Sequence, residues 1–406
     1  MSHTTTGVRC RGGARLAWLG LIVAVAAIGT SRVGMAQGPV RTMPVFAVET
    51  TWPKLPNNWV VGIVSAISVD QHDNVWILHR PRSVPEELRA RSAPPVLEFD
   101  ADGRFVQSWG GPGDGYDWPD NEHGIFIDDK DNVWITGSGA ANGRSDDMVI
   151  KFTNQGKLVM QIGHRSQSKG NADAENLRQP ADVFVYSKTN EVFVADGYGN
   201  RRVVVYDAAT GAFKRMWGAF GNRPEDEAPT PGGGRGGRGA QPAAPVDAEG
   251  PGSPQFGNRV HAVEISNDGL LYLADRANRR VQVFTPDGKY LTQVFINRTL
   301  SPDGSAAGLA LSPDPEQKFL YVADYNNSHL LVLDRRSLEV LYQFGMRSEK
   351  PGDFRGPHEI SVDSKGNLYV AEVSPGNRAQ KFVLKGMSPT PPPNALTAAQ
   401  LAQPTE

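Results

Sequence analysis

Short apolar and polar alternations recur along the chain, and no stretch between them carries the period of an amphipathic helix. Six times a brief alternating strand, such as Ile67-Ser68-Val69 or Val263-Glu264-Ile265, leads into a turn carrying Asp, Asn or Gly. A strongly β-prone run follows: Val75-Trp76-Ile77-Leu78, Val133-Trp134-Ile135, Val192-Phe193-Val194-Ala195, Leu271-Tyr272-Leu273-Ala274, Leu320-Tyr321-Val322-Ala323 and Leu368-Tyr369-Val370-Ala371. A third strand, such as Arg202-Val203-Val204-Val205-Tyr206, runs to another turn, and a fourth closes several units near Trp109-Gly110, Trp217-Gly218 and Phe344-Gly345. Four-stranded units at a period of about 50 residues, with no helices between them, predict an all-β fold, a six-bladed β-propeller.

Aligning the units on their alternation puts Ser65, His123, Ala181, His261, Ala307 and His358 in one column, at intervals of 58, 58, 80, 46 and 51 residues. The long interval has a visible cause. Residues 222–255 contain Gly232-Gly233-Gly234-Arg235-Gly236-Gly237-Arg238-Gly239 and several prolines, a low-complexity insertion too poor in apolar surface to order itself. The propeller is expected over 59–386, after a polar lead-in at 37–58 and before a Pro- and Ala-rich disordered tail at 387–406.

At the start, Arg9, Arg11 and Arg15 precede an apolar run from Leu16 to Ile28, and Gly34-Met35-Ala36 offers a small-residue cleavage context. The run is too short to span a bilayer, so residues 1–36 read as a secretory signal peptide. Cys10, the one cysteine, lies ahead of it, leaving an exported protein, periplasmic or extracellular, without disulfides. The first 36 residues hold four of the 42 Lys and Arg and none of the 44 acids, leaving 38 against 44 and a formal charge of −6. That balance points to neither nucleic acid nor an anionic membrane as partner. A monomer is expected.

In a propeller the first strand of each blade lines the central channel, and successive strands run antiparallel. The start of strand one and the end of strand two therefore share a face. His123, His261 and His358 should meet there with Arg80, Arg276 and, two positions into its loop, Tyr198. Three imidazoles in alternate blades suit zinc and leave a position open, as in a catalytic site. Other late first-row metals could also occupy it. The plainer alternative is three histidines lining a polar channel. Two arginine forks suit a carboxylate-bearing ligand, unless they pair with acids such as Asp275 or Asp196. Tyr198, near metal and cation, is a candidate base whose phenolate such charge would favour. His72, His164 and His329 read as ordinary histidines, and His79 is ambiguous beside Arg80.

These residues resemble the lyase domain of peptidylglycine α-amidating enzymes, the peptidyl-α-hydroxyglycine α-amidating lyases, with NHL-like blades. The likeness is carried by Gln179-Pro180-Ala181-Asp182-Val183, Val192 through Val203 with Asp196-Gly197-Tyr198-Gly199-Asn200-Arg201, Ala274-Asp275-Arg276-Ala277-Asn278-Arg279-Arg280-Val281, Pro357-His358-Glu359-Ile360 and His79-Arg80. It covers roughly residues 59 to 385. It implies that a small molecule or peptide ending in α-hydroxyglycine is split into an amide and glyoxylate. It also implies zinc on His123, His261 and His358, Tyr198 as base, and Arg80 and Arg276 on the substrate end. A structural calcium is implied as well, with Glu359 where the family has an aspartate, and Gly199 stands in place of the family's cysteine.

Two other classes stay open: a non-catalytic NHL-like propeller using the same mouth as a binding platform, and a metal-dependent propeller hydrolase of the lactonase type. The latter usually needs carboxylate ligands, which the histidine column does not supply.

Overall fold

The computed structural model describes residues 41–226, 249–300 and 304–401. Residues 1–36, expected to be a signal peptide, and most of the Gly/Arg-rich insertion lie outside the described residues. From Thr42 onward the chain forms one unit of six four-stranded antiparallel sheets, a six-bladed β-propeller.

Blade one is Ile63–Val69, Val75–Arg80, Val96–Phe99 and Phe105–Trp109. Blade two is Glu122–Ile127, Val133–Gly137, Val149–Phe152 and Leu158–Ile162. Blade three is Asp182–Tyr186, Glu191–Asp196, Arg202–Asp207 and Phe213–Trp217. Blade four is Val260–Ile265, Leu271–Asp275, Arg280–Phe284 and Tyr290–Phe295. Blade five is Ala306–Leu311, Phe319–Asp324, His329–Asp334 and Val340–Phe344. Blade six is Pro357–Val362, Leu368–Glu372, Arg378–Ser388 and, from the other end of the chain, Met43–Glu49. Inner strands touch in chain order and close from blade six to blade one.

The hairpins explain the turn chemistry seen in the sequence. Asp70, Asp128 and Asp363 each accept the backbone N–H of an asparagine four residues on, at 2.8 to 2.9 Å. Each also accepts the Nε1–H or O–H of the second-strand aromatic: Trp76, Trp134 and Tyr369. That side-chain turn fixes the hairpin and satisfies the one polar atom of a ring packed in the core. These aromatics, with Phe193, Tyr272 and Tyr321, are all buried.

Two boundary expectations change. The lead-in at 37–58 does more than precede the blades, because Met43–Glu49 pairs with Arg378–Ser388, from Met43 opposite Ser388 to Glu49 opposite Lys381. Its inward Phe46 stacks on Phe344 and meets Tyr321 edge-on, while Trp52 meets Phe99 and Tyr369 where blade one meets blade six. The tail expected to be disordered from Met387 is built in as far as Leu401. Arg378–Ser388 extends past it, Ala395 bridges to Phe344, and the N–H of Leu396 donates to the carbonyl of Gln343 at 2.7 Å. The outer strand of blade five thereby gains a partner along its exposed edge.

Of the insertion at 222–255, residues 227–248 are outside the described set. Its ends are held: Asp226 accepts from the backbone and side chain of Asn171, and Phe256 just beyond is buried. Among the described residues no helix is long and apolar enough to cross a membrane.

Candidate metal centre

The three column histidines stand at the mouth ends of inner strands, and each lies where the pairing register shifts: between Glu122 and Ile125, Val260 and Ala262, and Pro357 and Ile360. A bulge at that point re-aims a side chain that regular alternation would place elsewhere. The result is a buried cluster of His123, His261 and His358, each at 2% exposure or less. Their ligand atoms all lie within 4.8 Å of one another.

The orientation of the rings is set by neighbouring backbones. Nδ1 of His123 donates to the carbonyl of Ala181 at 2.8 Å, and Nδ1 of His358 to that of Ser65 at 2.7 Å. Both carbonyls belong to column residues of the next blade. For His261 the matching Ala307 carbonyl still favours the protonated ring, although Nδ1 lacks a hydrogen bond of good geometry and faces Glu359 Oε1 at 3.4 Å. With protons on Nδ1, all three rings turn Nε2 lone pairs toward one another.

Nε2 of His261 and Nε2 of His358 are 3.0 Å apart. Two lone pairs at that distance repel unless a cation lies between them. Tetrahedral ligation with bonds of about 2.0–2.1 Å would put such nitrogens about 3.3 Å apart. Burial pushes all three imidazoles well below their ordinary range, and the nearby guanidinium of Arg276 pushes further in the same direction. They are therefore neutral, as ligands must be. The residues fit a nitrogen-ligated divalent metal.

Tyr198 joins this cluster, its hydroxyl 3.0 Å from Nε2 of His123 and its ring edge-on to the same imidazole at 4.8 Å. Arg80 sends Nε to the carbonyl of Glu122 at 2.7 Å, which ties it to the strand bearing His123. Arg276 is buried at 4% exposure, with Nε lacking a hydrogen-bond partner, and its guanidinium lies 3.9 Å over the ring of Tyr325. Burial without a carboxylate pushes Arg276 down, against the favourable influence of Tyr198 and Tyr325.

Glu359 is on the channel side. Its Oε1 is buried without a hydrogen bond, and the residue lines a cavity of ≈ 260 Å³ shared with Asp182 and Glu264. Burial raises all three carboxyls, Asp182 to about 7 and the others well above the usual range. The neighbouring negative charges add to the rise at Glu264 and Glu359.

His79 is structural. Its Nδ1 accepts the N–H of Gly62 at 3.2 Å, and its Nε2 faces the carbonyl of Pro94 at 2.9 Å. In other blades an acid at this position does the same work: Asp275 accepts from Gly257, and Asp196 from Arg178. His72 and His164 lie in exposed contacts, and His329 donates to a carbonyl.

Sequence reasoning missed three residues. Thr136 donates to the Ala181 carbonyl at 2.7 Å and accepts from the N–H of Gly124 at 2.8 Å. Gly124 leaves room for that carbonyl, since a Cβ there would meet it at 2.6 Å. Tyr325 could have been found, because it occupies the place in blade five that Arg80 and Arg276 occupy in blades one and four.

No protein-family model matches the chain. It is 26% identical to peptidyl-α-hydroxyglycine α-amidating lyase 1 of Drosophila melanogaster over 89% of its own length and 66% of that protein's. It is 25% identical to NHL repeat-containing protein 3 of Homo sapiens over 84% of each chain. It is also 25% identical to peptidylglycine α-amidating monooxygenase of Rattus norvegicus over 83% of this chain. The chain spans less than two thirds of the Drosophila lyase and 32% of the rat protein.

Proposed function

We propose, from the chain's similarity to α-hydroxyglycine amidating lyases, that it cleaves a peptidyl- or N-acyl-α-hydroxyglycine to the amide and glyoxylate. The observation that carries this reading is the Tyr198 hydroxyl 3.0 Å from Nε2 of His123, within a cluster of neutral imidazoles that also holds an uncompensated buried arginine.

In this reading His123, His261 and His358 hold the metal, zinc by donor type, whose charge would acidify the substrate's hydroxyl. Tyr198 takes the proton from that hydroxyl. As the carbon–oxygen double bond forms, the carbon–nitrogen bond breaks, and its electron pair leaves on the amide nitrogen, which then takes up a proton. Atoms balance: hydroxyglycine yields amide plus glyoxylate, with no water consumed. Arg276 and Arg80 hold the carboxylate that becomes glyoxylate's, since planar guanidiniums bind it through paired hydrogen bonds. Glu359, with Asp182 and Glu264, offers oxygen donors suited to calcium, whose charge would relieve the repulsion among three acids that line one cavity. The protein would act after export as a monomer, on a small molecule or peptide, with no nucleic acid or membrane partner.

The test is glyoxylate release from α-hydroxyhippurate by the purified protein before chelation, after chelation and after zinc replacement. Metal-dependent release supports the reading. No release from folded, zinc-loaded protein refutes it. The similarity to an NHL repeat protein over 84% of the chain favours, as second reading, a binding platform at the same mouth, for which chelation would leave ligand affinity unchanged.

A further inference from the structure

Arginines that open third strands recur in the blades, Arg202 and Arg280 buried and Arg378 half-buried, and they are neutralised. Arg202 pairs with Asp196 at 2.8 Å, Arg280 with Asp275 at 2.8 Å and Arg378 with Glu372 at 2.7 Å. In each case the acid ends the second strand and the arginine opens the third. A buried guanidinium needs such a counter-charge, because removing it from water is costly.

Arg276 breaks the pattern. It is buried, as Arg202 and Arg280 are, yet it forms no ion pair with an acid among the described residues. The neighbouring acid is already committed: the carboxylate of Asp275 binds Arg280, Asn278 and the N–H of Gly257. What Arg276 has instead is the face of Tyr325, 3.9 Å from ring centroid to guanidinium carbon.

That pair is set up by the backbone. The N–H of Ser305 donates to the carbonyl of Arg276 at 3.1 Å, and the carbonyl of Ser305 accepts from the N–H of Tyr325 at 3.2 Å. One peptide segment thus registers both residues. The ring also packs close to Gly356, where a Cβ would come within 3.3 Å of Tyr325 Cε2. Its edge also approaches His358, centroid to centroid 6.2 Å. Tyr325 thus touches both the arginine and the edge of the histidine cluster.

We infer that Tyr325 is the positioning residue for Arg276, its ring holding the guanidinium beside the histidines without neutralising it, so that the charge is met by the substrate's carboxylate. A glutamate or aspartate at 325 would hold the arginine more strongly, but it would compete with the incoming anion. A π face attracts the cation through its quadrupole and carries no net charge. The inference deepens the lyase reading and rests on its claim that this mouth receives a carboxylate.

The experiment is calorimetric titration of the zinc-loaded full chain with glyoxylate as probe, and with glycolamide as an uncharged control. It compares wild type, Tyr325→Phe and Tyr325→Leu, with Tyr325→Met as a second aliphatic variant should the leucine protein fail to fold. A desolvated cation–π contact predicts a loss of about 10- to 30-fold in glyoxylate affinity for the aliphatic variant. Tyr325→Phe should stay within about 3-fold of wild type, since the ring face is kept. Glycolamide binding and zinc affinity should not move.

Several results would overturn the inference. These are an aliphatic variant that binds glyoxylate like wild type, a Phe variant as impaired as the aliphatic one, a parallel loss of zinc, and a wild type that does not bind glyoxylate. The lyase reading fails on a different readout. If wild type binds glyoxylate but releases none from α-hydroxyhippurate, the reaction is wrong and the positioning of Arg276 stands.

Discussion

Gly124→Ala tests whether the histidine orientation seen at the mouth controls metal affinity. A Cβ at 124 would sit 2.6 Å from the carbonyl oxygen of Ala181 and 2.7 Å from Oγ1 of Thr136. Comfortable C···O contacts begin at about 3.3 Å, so the carbonyl must retreat by about 0.7 Å or the strand must shift. That carbonyl is the acceptor for Nδ1 of His123 at 2.8 Å. Retreat along the bond would stretch it to about 3.5 Å, beyond normal hydrogen-bond length. Loss of such an outer contact typically costs 10- to 100-fold in metal affinity, and overpacking adds about 1–3 kcal/mol of instability. The assay is competition for zinc against a chelator of known affinity, alongside thermal melting of the metal-free protein. Thr136→Ala should restore part of the loss in the double variant, because it removes one of the two crowding atoms, and the cycle would then show coupling. Wild-type zinc affinity in folded Gly124→Ala would refute the argument that the Ala181 carbonyl orients His123.

Tyr198→Phe should lower kcat for glyoxylate release by about 10²- to 10⁴-fold with little change in KM, as expected when a general base is removed; a drop below tenfold would assign the proton transfer elsewhere. His261→Ala should cost more than about 100-fold in zinc affinity while the far-ultraviolet circular dichroism stays that of a β-propeller; unaltered zinc binding would remove His261 from the ligand set. His79, pushed down to about 4 by burial, stays neutral in the fold while the unfolded chain takes up its proton below about pH 6.5. Its contribution is therefore present above pH 6.5 and lost as pH falls toward 4. Over that range wild type should lose roughly 3 kcal/mol more stability than His79→Asn in denaturant titrations, and equal losses would contradict a buried neutral His79.

The architecture was legible because every unit repeats a turn followed by a β-prone run with an aromatic, and in three of them, at Asp70, Asp128 and Asp363, that aromatic donates back to the turn Asp. The histidine column was legible for the same reason, since a shared register puts equivalent residues on one axis. The closing strand was hidden. Met43–Glu49 pairs with residues more than 300 positions away, and its alternation is too short to stand out from an irregular lead-in. The chain beyond Met387 misled through composition, because Pro and Ala content does not reveal that a neighbouring strand edge is available. Gly124 and Thr136 could not be read at all, since their role depends on a carbonyl from another blade. His79 was ambiguous in sequence because it adjoins Arg80, and only its acceptance of the Gly62 N–H shows its equivalence to the acids of other blades.

The position after the second strand shows how a repeat fold separates scaffold from site. Its occupants are Arg80, Ser138, Gly197, Arg276, Tyr325 and Val373. One residue earlier, an acid or its substitute His79 anchors the loop in five of the six blades, binding the N–H at the foot of the adjoining connection or the asparagine of its own turn. The acid satisfies the backbone and, where present, the arginine that opens strand three. The next residue takes no part in that anchoring. Three of these positions, in blades one, four and five, carry groups that reach the histidines, and Tyr198 arrives one residue later through the Gly197 turn. Because Asp275 is already committed to its loop, Arg276 is left as a buried cation lying over an aromatic face. The scaffold acids thus leave positive charge at the metal centre rather than cancelling it, which is what capture of a carboxylate beside neutral imidazoles requires.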